Sequence, residues 1–268
     1  SWIWAMWGAA ILAGRVPMAS EPFDRGIDNL RPFSETIQHA HDLRTASPSA
    51  LESAAAFLGG AGVAVSPELG GFDREFVRSE QRERLIRWAD EHGFLTTPES
   101  GQEAYRGLLH ASDWISGNEH TVVLAPEEAR VFKITHTDRF GKAYPRVAGL
   151  AVYREATPLE YLTRLLLCNH AFGDDLRLEQ VLLDENRAVR VVTSQPIIVG
   201  THPLEADLHR QLYADGFEPL EAVDGVPTTK DWFRLAERVL IFDAHNGNYI
   251  QTTEGLIIPI DIYAEQVP

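Results

Sequence analysis

Asp243, Asn248 and Asp261 are the residues of this chain best suited to chemistry: Asp243-Ala-His-Asn-Gly-Asn248 is followed, thirteen residues on, by a second carboxylate. A carboxylate can take the proton of an attacking hydroxyl. An amide oxygen and a further carboxylate can hold divalent cations against phosphate oxygens, and together these are what phosphoryl transfer asks of a catalyst. The elements between the three residues are short and apolar. Tyr249-Ile250-Gln251 is expected as a strand, Thr252-Thr253-Glu254-Gly255 as a turn, and Leu256-Ile257-Ile258-Pro259-Ile260 as a second strand delivering Asp261. One hairpin would then gather all three groups. His245, within the loop, is expected to hydrogen-bond the loop or to face the acceptor.

A fourth residue is Lys133, in the middle of the strand pattern Arg130-Val-Phe-Lys-Ile-Thr135. Side chains alternate along a strand, so Lys133 points away from the face that takes Phe132 and Ile134. On an arbitrary sheet that face is solvent.

Composition narrows the setting. The 268 residues are 44% hydrophobic, as expected of a globular chain, with Lys and Arg numbering 24 against 39 Asp and Glu, for a net charge of −15. An acidic surface argues against general nucleic-acid binding, which draws on clustered cations. The single cysteine, Cys168, lies in an apolar helical run and fits a reducing cytoplasm. The apolar run Trp2–Gly14 is too short to span a membrane. It is expected as a packed helix whose Trp4, Trp7 and Ile11 share one face, which a partner could bury. His39 and His41 lack acidic or cysteine companions at ligand spacing, and no histidines sit at the H-E-x-x-H spacing of a zinc hydrolase.

Along the chain, residues 1–110 are expected as a mostly helical N-terminal extension, with a clear helix from Ser79 to His92 stopped by Gly93. From 111 the pattern turns to strands. Trp114-Ile115 and His120–Leu124 form a hairpin around Gly117, and the lysine strand follows. Thr157-Pro-Leu-Glu160 is a capping box opening a helix that fades near Gly173. Leu178–Leu183 and Val189–Thr193 are strands, Gln195–Gly200 is an extended connector, and Pro203–Asp215 is a helix stopped by Gly216. An irregular segment and one more helix are expected before Asp243.

With these residues in place, the segment from about 113 to 268 resembles the protein-kinase and aminoglycoside-phosphotransferase superfamily. More narrowly it is similar to the compact kinase-like domains of bacterial polyvalent proteins, products of phages and conjugative elements. The resemblance rests on Gly117-Asn-Glu-His-Thr-Val122, Val131-Phe-Lys-Ile134, Tyr161–Leu165 with Asn169 and Phe172-Gly-Asp174, Gln195-Pro196, and the Asp243–Asn248 loop with Pro259-Ile-Asp261. It implies an α+β, protein-kinase-like bilobal fold, with an N-lobe of about 111–195 and a truncated, minimal C-lobe of about 200–268. Lys133 would contact the α- and β-phosphates of ATP, with Glu160 its ion-pair partner and Glu155 the alternative. Gly117 would let the first turn approach the phosphates. Backbone groups of the connector, Gln195, Ile197 and Val199 among them, would meet the adenine edge. Asp243 would be the catalytic base, and Asn248 and Asp261 would ligate Mg²⁺.

The departures are a first turn with a single glycine, Ile241-Phe242 before Asp243, and Ile262-Tyr263 after Asp261. The function so implied is ATP- and Mg-dependent transfer of the γ-phosphate to a hydroxyl of a protein or small-molecule acceptor. Two alternatives on the same fold are a pseudokinase that binds nucleotide as an interaction module and a nucleotidyl transferase that moves AMP.

Overall fold

The structure is a computed structural model and describes residues 49–60, 71–97, 100, 114–143, 146–147, 150–151, 154–221 and 227–267. The expected tryptophan-faced helix and the His39/His41 pair lie outside the described residues. The chain divides into two compact units, with boundaries at Leu166/Leu167, Asp174/Asp175 and Pro196/Ile197.

The first unit opens with two helices, α1 (Ala50–Gly59) and α2 (Gly71–Glu91). Ser49 caps α1 reciprocally with Glu52, satisfying two N–H groups that a helix start leaves open. The helix expected from Ser79 is longer at its start, and its Leu85, Ile86 and Trp88 are buried as the apolar spacing requires. Gly93 closes it with a φ of 73°, a conformation that costs glycine nothing. These helices do not form an extension of their own. Both pack on the sheet strand Arg177–Leu183, and Leu95–Thr96, just beyond Gly93, adds a strand to the sheet itself.

That sheet has six strands: β1 (Leu95–Thr96), β2 (Trp114–Ser116), β3 (His120–Ala125), β4 (Arg130–Thr135), β9 (Arg177–Leu183) and β10 (Val189–Pro196), in the order β1-β9-β10-β4-β3-β2. Its pairs are antiparallel except β1 with β9, so the sheet is mixed. Between β4 and β9 run the short strands β5 (Lys142–Ala143), β6 (Arg146–Val147), β7 (Leu150–Ala151) and β8 (Arg154–Glu155), then helix α3 (Pro158–Phe172). The predicted capping box is present: the Thr157 N–H donates to Glu160 Oε2 at 2.8 Å and the Glu160 N–H to Thr157 Oγ1 at 3.3 Å. Val123, Phe132, Ile134, Leu182 and Val192 fill the core on one sheet face. Alternation therefore turns Lys133 to the other.

The second unit takes the last turns of α3, Leu167–Asp174, and everything from Ile197. It contains α4 (Glu205–Ala214) and a four-stranded sheet ordered β11-β12-β13-β16, from β11 (Glu218–Glu221), β12 (Pro227–Arg234), β13 (Val239–Phe242) and β16 (Tyr263–Gln266). A separate hairpin pairs β14 (Tyr249–Gln251) with β15 (Ile257–Pro259). The helix expected just before Asp243 is absent: that stretch is β12, a turn at Leu235–Arg238, and β13. Arg238 takes a φ of 56° to make the turn, and Trp232 pairs with Ile241 across the ladder. Leu204 is the N-cap residue of α4 and is exposed, whereas Leu208 and Leu212 within the helix are buried.

Among the described residues there are four α-helices and a mixed sheet, an α+β arrangement, and no helix is long and apolar enough to cross a membrane. Gly200, at the end of the connector, sits where a Cβ would drive into the Gln251 carbonyl. Its neighbour Thr201 exchanges backbone hydrogen bonds with Gln251 at 3.0 and 2.7 Å. Gly200→Ala is expected to break that bridge and lower stability by about 1–3 kcal/mol, read as a fall in the urea midpoint.

Candidate active site

Two strand ladders end at the same corner of the second unit. In one, β13 pairs with β16 up to Phe242 opposite Tyr263, so Asp243 is the first residue off the ladder and Asp261 lies two residues before Tyr263. In the other, β14 pairs with β15 with Tyr249 opposite Pro259, and the Ile260 N–H extends the pairing by donating to the Asn248 carbonyl at 2.8 Å. Asn248 therefore stands beside Ile260, next to Asp261. The hairpin predicted from sequence does bring the triplet together.

The loop is held in place by its own backbone. Asp243 adopts a φ of 57°, the left-handed region that few residues other than glycine and Asn or Asp enter. Its carbonyl accepts the Asn248 side-chain amide at 2.8 Å and the His245 N–H at 2.9 Å. The same Asn248 Nδ2 lies 3.2 Å from Asp243 Oδ2. The Ala244 N–H donates to the Lys230 carbonyl at 2.8 Å, which ties the loop to β12.

These contacts settle the orientation of the Asn248 amide. A carbonyl only accepts, so the NH₂ must face Asp243 and Oδ1 must face away. Asn248 is 1% exposed, and its Oδ1 has no hydrogen-bond partner among the described residues. A buried carbonyl oxygen without a donor costs free energy unless something electropositive meets it. A hard cation is such a group, and the carboxylate residues at this corner are Asp243, on the same loop, and Asp261, next to the Ile260 that bonds the Asn248 carbonyl, oxygen donors of the kind Mg²⁺ takes. The residues fit the ion. Among the described residues no group of three or more His, Cys, Asp or Glu side chains converges, so this set depends on the amide.

His245 caps the single helical turn Asn246–Asn248: its Nδ1 accepts the Gly247 N–H at 3.1 Å. The ring proton therefore sits on Nε2, 3.6 Å from Asp243 Oδ1. Burial holds the His245 imidazole below its ordinary pKa, overriding the nearby Asp243 and Asp261 carboxylates, which act the other way, while the Lys230 cation adds to the lowering.

In the first unit Lys133 is 8% exposed, on the central strand, paired with Val122 on one side and Thr193 on the other. It is not on a solvent face. Tyr161 of α3 reaches the same face, its hydroxyl 3.4 Å from Thr193 Oγ1 and 3.1 Å from His120 Nε2. The lysine is thus buried on the side of the sheet that α3 covers. Gln195 is also buried, opposite Val131 and inside β10, which runs on to Pro196. The connector proper is Ile197–Gly200, with Ile197 half-buried and Val199 58% exposed. Gly117 opens the turn between β2 and β3, where its N–H donates to the His120 carbonyl at 2.8 Å and the His136 ring Nε2 lies 2.8 Å from its own carbonyl.

Glu160 is placed differently from the expectation. Both its oxygens are taken: Oε2 by Arg74 at 2.7 Å and by the Thr157 N–H, Oε1 by Arg154 at 2.7 Å. Its work is the start of α3, and Lys133 is not its partner. Glu155 is exposed and uses its backbone carbonyl to accept from Arg74. What the sequence reading missed is the buried carboxylate of Glu119, which meets Arg164 of α3 at 3.2 Å. The signal was an arginine three residues after Tyr161 within the apolar stripe of that helix.

A depressed imidazole pKa has a direction in stability. Above the ordinary value of ~6.5 the ring is neutral folded or unfolded and contributes no pH dependence. As pH falls below ~6.5 the unfolded chain takes up the proton first, and the folded state loses ground until its own lower pKa is passed. His245→Asn keeps a capping oxygen without the titration. The wild type is expected to lose stability relative to this variant as pH falls through that window, measured as paired denaturant midpoints; parallel profiles would remove the role assigned to burial. No protein-family model matches the chain, and no curated protein or solved structure matches it significantly, so the chemistry of this corner is argued from its own residues.

Proposed function

We propose that the chain is a kinase-like phosphotransferase that moves the γ-phosphate of ATP to a hydroxyl of a protein or a small molecule, with Mg²⁺ as its ion. The observation that carries the reading is the buried Asn248 oxygen, without a donor among the described residues, at the convergence of the two ladders that bring Asp243 and Asp261 to this corner. A divalent cation would meet that oxygen's unmet polarity.

In this reading Asp243 accepts the acceptor's proton as the acceptor oxygen bonds to the γ-phosphorus and the bond to the β,γ-bridging oxygen breaks, releasing ADP. The Asp243 side chain is 43% exposed, so a hydroxyl can reach it. Asn248 and Asp261 would hold Mg²⁺, which when bound neutralises charge on the β- and γ-phosphates. The neutral His245 ring, proton on Nε2, stands 3.6 Å from Asp243 Oδ1, an electrostatic neighbour rather than a hydrogen-bond donor. Lys133 would meet the α- and β-phosphates, its burial on the sheet strengthening the attraction. The connector Ile197–Gly200 would present backbone groups to the adenine. A kinase-like bilobal architecture of the polyvalent type is part of the same proposal.

A second reading, binding without transfer, draws on one observation: the glutamate expected beside Lys133 is engaged by two arginines instead. Intact-mass spectrometry of the purified chain incubated with ATP and Mg²⁺, alongside Asp243→Ala, separates the readings. Transfer predicts a gain of about 80 Da per site, lost in the variant, and AMP transfer a gain of about 329 Da. No gain, with ATP still raising the melting temperature, favours the binding module or an acceptor in trans. A variant as active as the wild type would sink the assignment of Asp243.

A further inference from the structure

The turn Gly117–His120 carries a glutamate whose side chain is turned inward. Glu119 is 8% exposed at its side chain and its Oε2 lies 3.2 Å from Arg164 Nη2, an arginine itself 9% exposed on α3. Burying two charges is costly and is repaid only where geometry and further hydrogen bonds complete the pair. Here they do. Arg164 Nη1 reaches the Lys142 carbonyl at 3.4 Å, and its guanidinium stacks over the Tyr161 ring, 5.2 Å from the centroid. His120 Nδ1 approaches the same Glu119 oxygen at 3.9 Å. Gly141, at a φ of 74°, lies so close to the carboxylate that a Cβ would come within 2.9 Å of Oε2. The absence of a side chain at residue 141 is what leaves room for the carboxylate.

The pair belongs to a longer polar chain. His120 Nε2 lies 3.1 Å from the Tyr161 hydroxyl, which lies 3.4 Å from Thr193 Oγ1, and that hydroxyl donates at 3.3 Å to the backbone carbonyl of Lys133. One buried path therefore runs from the turn, through α3, to the lysine strand. Such networks are rigid when satisfied and expensive when broken. Stability alone does not call for a buried ion pair, which well-packed apolar groups often replace without loss.

We propose that Glu119 is a positioning residue: its carboxylate, held by Arg164 and admitted by Gly141, locks the Gly117–His120 turn against α3 in the pose that receives nucleotide phosphates. The inference rests on the ATP-binding reading above and adds to it a determinant of phosphate affinity that lies outside the loop with Asp243. Glu119 touches no phosphate. It acts through the turn.

The test compares ligands with and without phosphates on the full chain. Binding of MgATP and of adenosine is measured by calorimetry for the wild type, Glu119→Gln and Gly141→Ala, with melting temperature and circular dichroism recorded for each. Glu119→Gln keeps the shape and removes the charge; Gly141→Ala keeps both charges and crowds the carboxylate. The expected result is an increase of about tenfold in the MgATP Kd for either variant, with adenosine affinity changed less than about twofold. Equal losses for both ligands, or an unchanged MgATP Kd in a folded variant, would reduce Glu119 to a stability element and overturn the proposal while leaving ATP binding intact. A wild type that binds neither ligand would overturn both. Should Glu119→Gln fail to fold, Gly141→Ala decides by the same comparison.

Discussion

The hydrogen bond from the Asn248 side-chain amide to the Asp243 carbonyl constrains everything around it. It joins the loose end of the β13–β16 ladder to that of the β14–β15 hairpin, two pairings that share no strand. It also spans the left-handed turn at Asp243, a conformation that persists in a non-glycine residue only when surroundings hold it. Because the amide nitrogen is committed, the amide oxygen faces the other way, buried and without a donor. A structural need of the loop thus leaves a buried oxygen without a donor among the described residues, and the proposal of a bound cation starts from that oxygen.

The first unit solves a related problem. A central strand normally buries apolar side chains on a face covered by a helix, yet this face holds Lys133, Thr193, His120 and Tyr161, with Glu119 and Arg164 at its edge. Isolated, each would pay for desolvation. His120, Tyr161 and Thr193, linked by hydrogen bonds, and Glu119 with Arg164, an ion pair, form a polar layer beneath α3 that reaches the Lys133 backbone carbonyl, while Phe132, Ile134 and Val192 provide an ordinary core on the opposite face. Apolar residues would be the simpler solution for stability alone, because replacing a buried ion pair with well-packed hydrophobic groups is often neutral or stabilising.

Two expectations gave way to tertiary structure. The stretch just before Asp243 was expected to hold a helix, but Val239, Leu240, Ile241 and Phe242 are all buried, as fits a central strand with β12 on one side and β16 on the other. Local pattern cannot separate a short apolar run of this kind from a helix segment; the available partners decide. The residues before 110 were expected to stand apart. Instead Arg74 pairs with Glu160, Gln81 Oε1 accepts from the Leu159 N–H at 3.1 Å, and Leu95–Thr96 completes the large sheet. Contacts across some 80 residues of sequence leave no local trace, so neither the docking of α2 nor the loss of Glu160 to its arginines could be read beforehand.

What the sequence determined by itself was whatever depends on neighbours a few residues apart: the capping box at Thr157, the stops at Gly93 and Gly216, the hairpins, the alternation that turns Lys133 from Phe132, and the hairpin that delivers Asp261 near Asn248. Each follows from backbone geometry and the period of its element. Tertiary structure alone decided which polar groups met. It buried Lys133 rather than exposing it, gave Glu160 to Arg74 and Arg154, and enclosed Glu119 with Arg164 against Gly141. The physical reason is that a charge's partner is chosen by distance through space and by the cost of leaving it unpaired, and neither quantity exists until the chain has folded.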